Sequence, residues 1–471
     1  MSTDTRRSRQ RRAATPSRRR PFGGAFALVA GLLLAVGLGG AALTTVQGPR
    51  VTDVQVNPAT AIEASGSRVI FTLSQAVAAI DPEQVTVTPE AAFTVDTSGR
   101  SIGIRFALPL WDATDYTIRI DGVEGIGGGT VSTLEESFTT PALHSYVLLR
   151  GGEDGEDRIF RTDFEATAAV PVFSDPRIED YRASGEHLVV NTTDDDGLSH
   201  VTVVGLDGED PAELTLPGEG RVTNLQVADR GSRIGYTFTD ADVDTAGAQE
   251  SILYTASADD PDADPLAVER EGEARVEDWR FVPGTDDVLM MTFDGALTMA
   301  APGGAAPVAL GTAVHIHGIS PGSTLALIDT TEGLIGLDLA TGEQEELLPT
   351  DPTLGFVSTV TPLPGGSGAI LRALSGADGS TSTSVVVVDD AGTREVFAAA
   401  VGDALVHTCV SPSGRYAAFL VAPNVVDNPY DGYLLPLPET LQTHIVSLED
   451  GDDIVALTGF DISWCETAPP L

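Results

Sequence analysis

The 471-residue sequence predicts an all-β protein behind one N-terminal apolar helix. Three observations predict it. Residues 51–141 alternate short apolar strands with Pro, Gly and Ser turns. From 144 to 471 a strand followed by a glycine turn recurs at steps of 38 to 53 residues. Between Arg20 and Arg50 no side chain is ionisable, and Ala25 to Leu43 is long enough to cross a bilayer as a helix. The boundaries that follow are a basic cytoplasmic tail over 1–21, a transmembrane signal-anchor over 22–46, a β-sandwich over 50–141 and a β-propeller over 144–471.

All 27 basic residues are Arg, and eight of them lie in the first 20 positions. That asymmetry orients the N-terminus to the cytoplasm and everything after the span outside the cell membrane, as a single-pass protein. The small residues Gly40-Ala41-Ala42 offer the alternative of cleavage and secretion. A lipid anchor on cysteine is not expected, because Cys409 and Cys465 are the only cysteines. Beyond the tail, 19 Arg face 68 acidic residues, a surface that repels phosphate backbones and excludes nucleic acid as a partner.

In the first β-region Val54 and Val56, then Val69, Phe71 and Leu73, Val85 and Val87, Ile102, Ile104 and Phe106, Tyr116, Ile118 and Ile120, and Phe138 alternate with polar residues. About seven strands in 90 residues is sandwich spacing. Asn57-Pro58, Leu108-Pro109-Leu110, Asp115-Tyr116-Thr117-Ile118, the loop Gly127 to Gly129 and the closing Ser137-Phe138-Thr139-Thr140-Pro141 resemble bacterial Ig-like domains of the S-layer type. The resemblance implies a spacer or adhesive module. At the start of the chain, Arg19-Arg20-Pro21-Phe22 resembles part of a twin-arginine export signal, with Arg18 where that pattern has Ser or Thr.

In the second region Gly185, Gly231, Gly284, Gly322, Gly366 and Gly414 mark the repeat, and Arg177 to Arg182 is echoed by Arg275 to Arg280. The Ser-Pro-x-Gly turn at Ser411, with Ser-Pro-Gly at Ser320 in the same place, resembles the WD40-like repeats of TolB-type propellers, which implies that the strand before each turn lines a central channel. Strands at Tyr146 to Leu149, Ile159 to Phe164 and Ala169 to Phe173 lack an innermost partner, and Phe460 to Cys465 is left over at the other end. The C-terminal strand is therefore expected to complete the first of seven blades.

No residue is assigned a catalytic role. Gly318-Ile319-Ser320-Pro321-Gly322 matches the G-x-S-x-G hydrolase pattern, but a strand follows where a nucleophile elbow needs a helix. His315 and His317 share one strand face and His407 lies on the corresponding strand two repeats later; hydrogen-bonded channel histidines are the expectation, and no metal site is assigned. Asp240-Ala241-Asp242-Val243-Asp244 begins like an EF-hand loop, but Thr245 and Ser251 replace the required Gly and Glu. Loose calcium binding is the most it supports, and no cofactor is expected; Asp259 to Asp264 reads as a charged exposed loop.

The long segment Asn424 to Glu439 carries Tyr430 and Tyr433 among prolines, which suits a binding surface on a rigid scaffold; a loop packed on its own blade is the ordinary alternative. Candidate binding residues are Tyr430, Tyr433, His315, His317, Glu277 and Asp278. The expected function is a membrane-anchored extracytoplasmic binding or scaffold protein whose partner is a protein or a glycan. The alternative is an enzyme acting on cell-envelope carbohydrate or peptide, with Glu179, Asp180, Glu277 and Asp278 as its channel carboxylates. Finally, Cys409 and Cys465 occupy the same phase of the repeat on neighbouring inner strands, and an exported location is oxidising, so a disulfide between them is expected to fasten the ring.

Overall fold

The computed structural model describes residues 26, 29–34, 48–152, 154–164, 169–228, 232–269, 272–304, 306–350, 352–366, 368–375 and 383–470. The basic tail 1–21 lies outside them. Of the expected membrane segment 22–46 only residues 26 and 29–34 lie inside, and they are helical. Among the described residues no helix is long and apolar enough to cross a membrane.

Residues 50–141 form two antiparallel sheets. One orders its strands Val51–Gln55, Arg68–Leu73, Ser101–Phe106, Phe93–Ser98, and the other Val85–Thr88, Asp115–Val123, Ser132–Thr139. The alternation read in the sequence is the alternation of burial. Val69, Phe71 and Leu73 from one sheet and Tyr116, Ile118 and Ile120 from the other meet in a single core. The motif Asn57-Pro58 starts a short helix, Pro58–Glu63, in which the Asn57 side chain accepts from the Thr60 amide and Pro58 supplies a first-turn residue with no amide to satisfy.

From His144 onward the chain makes seven antiparallel sheets in sequence order, the arrangement of a β-propeller. Sheets two to seven each have four strands and begin on an inner strand: Ile178–Ala183, Gly220–Val227, Val276–Phe281, His315–Ile319, Phe356–Pro362 and Ala404–Val410. Successive inner strands lie side by side. The first sheet has only three strands, His144–Leu149, Asp157–Asp163 and Val170–Asp175, and the C-terminal segment supplies what is missing. Leu148 and Phe460 exchange both backbone bonds (3.0 and 2.9 Å) and the Ser463 amide donates to the Tyr146 carbonyl. The leftover segment is thus a bridge and not a full strand. Asp461, in the left-handed region at φ 56°, turns the chain out of the extended conformation directly after Phe460.

Polar side chains stitch the inner strands together by reaching the next strand's carbonyls. Arg182 Nε donates to Leu225 O (3.0 Å), Gln226 Nε2 to Trp279 O (2.7 Å), Arg280 Nη2 to Ile316 O (3.1 Å) and Ser320 Oγ to Leu363 O (2.5 Å). The Tyr181 hydroxyl reaches the other way, to Asp461 O at 2.6 Å. The disulfide Cys409–Cys465 joins the last sheet to the closing segment, with Cα atoms 5.2 Å apart. Each of these hydrogen bonds gives a backbone carbonyl of the neighbouring inner strand or closing segment a side-chain donor.

The glycine turns end on one face of the ring, and the N-terminal sheets dock there. Asp112, 8% exposed, pairs with Arg415 (2.9 Å) and accepts from the Tyr416 hydroxyl (3.1 Å), while Arg415 lies over the Trp111 ring. Leu108 packs so closely on Gly322 (φ +73°) that a Cβ there would sit 2.5 Å from its Cδ2. At this φ a larger residue is strained, and its Cβ would also push the Leu108 side chain aside.

Candidate functional site at the channel mouth

The other face is the mouth of the channel, where the inner strands begin. Each of the six inner strands carries one extra residue against its neighbour. The extra residues are Glu179, Glu277, His317, Ser358 and Val406, with the Asn224–Leu225 pair in the third sheet. A bulge re-aims the side chain it carries, and every inner strand of sheets two to seven has one. Asn224 is held at φ 49° to achieve it.

One sector of this mouth is closed. The Tyr433 hydroxyl donates to both carboxylate oxygens of Asp157 at 2.9 Å, and its ring lies between Arg150 (3.9 Å to the centroid) and Arg177 (4.9 Å). Arg150 also pairs with Asp431 at 2.8 Å. Glu179, 2% exposed, accepts from the amides of Leu434 and Leu435 and from Thr193. Burial, with the Asp157 carboxylate beside it, pushes the Tyr433 hydroxyl pKa up, so it remains a donor at physiological pH. Of the two loop tyrosines singled out in the sequence, Tyr433 is thus committed to an intramolecular clasp across the ring junction, and Tyr430 is 63% exposed.

The other sector is open. Glu277 is exposed, and the first four residues of the sixth sheet's inner strand, Phe356 to Thr359, are exposed in succession. Phe356 itself is 72% exposed. His315 and His317 meet edge to face with ring centroids 4.7 Å apart, His317 Nε2 lies 2.9 Å from Asp329, and His315 Nδ1 lies 4.0 Å from Asp278. Asp278 bonds Arg280 through one oxygen and keeps the other, Oδ2, without a hydrogen-bond partner. Burial first, then the neighbouring His317, holds the His315 pKa below its ordinary value. Four of the predicted residues, His315, His317, Glu277 and Asp278, therefore gather in this sector, whereas His407 lies deeper, against the disulfide.

Below the mouth the channel is plugged by charge. Arg182 pairs with Asp461 (2.7 Å) and with Asp180 (3.0 Å), all three less than a tenth exposed. Burial pushes Asp180 well above the usual carboxylate range despite the pull of Arg182, and raises Asp461 as well. Two carboxylates sharing one guanidinium out of water favour keeping a proton between them. His407 is pushed down to about 3 by burial, with Arg182 and Arg280 adding to it, and is neutral. Sequence reasoning did not single out Asp157 or Asp461; the repeat aligns only the inner-strand acids Asp180 and Asp278, one residue before each aromatic.

Ser320 of the G-x-S-x-G match is 2% exposed and accepts from the Gly366 amide at 3.1 Å while donating to Leu363. Its strand leads into another strand, Leu325–Thr330. In the acidic loop the Asp242 carboxylate accepts from the Asp244 amide and Thr245 hydroxyl, and Asp240 accepts from the Gln249 amide, so these oxygens face their own turns. Among the described residues, the groups of potential metal ligands that converge are His407–Cys409–Cys465 and Glu186–His187–Asp259.

No protein-family model matches the chain, and no curated protein matches it. Solved structures do. TolB from Acinetobacter baumannii is 10% identical over 80% of this chain and 80% of its own, at a TM-score of 0.38. An oligogalacturonate lyase from Vibrio parahaemolyticus is 12% identical over 58% and 82%, at 0.46. The Cps50 (Swd1) β-propeller domain of Myceliophteria thermophila is 13% identical over 60% and 89%, at 0.38. Likenesses this remote carry no information on activity or ligand.

Proposed function

We propose that this protein is a membrane-anchored extracytoplasmic binding protein. In this reading residues 50–141 are an Ig-like sandwich, residues 144–471 are a seven-bladed propeller closed by both ends of the domain, and the open sector of the channel mouth takes a protein or glycan partner. The observation that carries the binding reading is the division of the mouth. Glu179 and Asp180 are consumed by internal bonds, whereas Glu277, His315 and Phe356 stand exposed on the inner strands of the fourth, fifth and sixth sheets, with His315 4.0 Å from Asp278 Oδ2. An exposed aromatic beside charged groups on rigid strands is the composition of an interaction site. The eight Arg before the uncharged span support the anchor and its orientation.

The test is capture of envelope components by the ectodomain, residues 50–471, compared with His315→Ala and Phe356→Ala. A specific partner lost in both variants supports the reading; identical capture by all three refutes the assigned sector. Turnover of wall fragments that disappears in Glu277→Gln or Asp278→Asn would establish the enzyme alternative instead. Protease shaving of intact cells addresses location separately, and a full-length band surviving while other surface proteins are digested would refute the outward orientation.

A further inference from the structure

The junction between the last sheet and the closing segment is built around His407, Cys409 and Cys465. One ligand atom from each lies within 4.8 Å of the others. Cys409 Sγ is 3.5 Å from His407 Nδ1. With Zn–S of about 2.3 Å and Zn–N of 2.0–2.1 Å at a tetrahedral angle, the S···N edge of a zinc site is about 3.6 Å. The two cysteine Cα atoms, 5.2 Å apart, are held in place by the backbone bonds of the ring and by the Cys465 amide's bond to Ile462 O.

A further observation points into the same space. His407, Cys409, Cys465 and Asp461 line a small cavity of about 10 Å³, roughly one water or one ion. Asp461, 3% exposed, is already committed on the other side of the cavity, to Arg182 at 2.7 Å and to the proton it shares with Asp180. The remaining polar side chain of the lining, Thr443, spends its hydroxyl on Gly459 O.

We propose that reduction of Cys409–Cys465 converts this junction into a Zn²⁺ site, with His407, Cys409 and Cys465 as its protein ligands and a water in the cavity completing the tetrahedron. The step balances as follows. A dithiol gives two electrons and two protons to the S–S bond and is itself oxidised to a disulfide. Zn²⁺ then displaces the two thiol protons, and both sulfurs bind as thiolates. Disulfide and metal become alternative fasteners of the same seam, so the ring stays closed in either redox condition. The exposed Glu186–His187–Asp259 group is a weaker, surface alternative and serves as background.

The test uses the full chain, reduced with a phosphine, moved into metal-free buffer and titrated with Zn²⁺ against a chromophoric chelator. Expected are one Zn²⁺ per reduced chain beyond the background of the Cys409→Ser/Cys465→Ser chain, and release of two protons per ion. Co²⁺ in place of Zn²⁺ should show thiolate-to-metal charge-transfer absorption, and His407→Ala should weaken binding roughly tenfold or more. Should the double variant fold poorly, the disulfide-intact chain supplies the same background. Uptake by the reduced chain no greater than that background, or Co²⁺ binding without a thiolate band, would overturn the site.

Discussion

The hydroxyl of Tyr433, on a loop of the seventh sheet, lies 2.9 Å from both carboxylate oxygens of Asp157, which is completely buried in the first sheet. Asp157 also accepts from the amides of Gly151 and Ile178, so one carboxylate ties the seventh, first and second sheets together. Tyr433→Phe removes one donor and leaves the others. It should destabilise the ring by about 1–3 kcal/mol, the cost of an under-satisfied buried acceptor. Denaturant unfolding measures it. A midpoint equal to wild type would mean the clasp holds nothing.

The disulfide acts on the same seam from inside the channel. Cys409 and Cys465 are 56 residues apart, and a loop of that size contributes roughly 4 kcal/mol in the chain-entropy model. Cys409→Ser should therefore lower stability by a few kcal/mol, and combined with Tyr433→Phe the losses should exceed their sum if both fasten one cooperative closure. Thiol labelling of the denatured, unreduced chain should find none, and two after reduction. Two reactive thiols before reduction would refute the bridge.

The ring closure was legible in the sequence for a physical reason: each repeat needs an innermost strand, and counting inner strands left one sheet short and one segment over. The cysteines were legible because both fall in one phase of the same repeat. The bulges were not. One extra residue at Glu179, Glu277 or His317 changes which face a side chain takes, and a two-residue alternation read from sequence carries no sign of where the count slips. Tyr433 was legible as an exceptional loop residue but not as a clasp, because Asp157 is 276 positions away and stands among other acids in Glu153-Asp154-Gly155-Glu156-Asp157. The docking of the N-terminal sheets on the turn face had no sequence signal, since Asp112 and Arg415 each read as ordinary surface charges.

That docking is testable. Asp112 accepts from the Arg415 guanidinium through its carboxylate and its backbone oxygen, and from the Tyr416 hydroxyl, with the Thr114 hydroxyl taking a longer bond from Arg415 (3.4 Å). Asp112→Ala should free the N-terminal sheets from the ring without unfolding either. Calorimetry should then resolve two transitions where wild type shows one, and proteolysis at Pro141 to Leu143 should accelerate. An unchanged single transition would show that the contact does not couple them.

The channel plug predicts a pH dependence whose sign is opposite to that of an ordinary ion pair. Asp180 is fully buried beside Asp461, and burial raises its pKa well above the unfolded value despite Arg182. The folded state therefore holds a proton that the unfolded state gives up near pH 4, and this contribution to stability falls as pH rises from about 4 through the raised native pKa. His407 works in the other direction. Its folded pKa of about 3 lies below the unfolded value, so its contribution is present above about pH 6.5 and falls as pH drops toward 3. Comparing variants separates the two. Asp180→Asn carries no titrating proton, leaves Arg182 to Asp461 alone, and keeps His407. With the disulfide intact, its stability relative to wild type should rise steadily as pH increases above about 4, by denaturant midpoints measured across pH 4 to 8. A difference between the two proteins that stays constant across that range would show that Asp180 is already ionised in the folded ring.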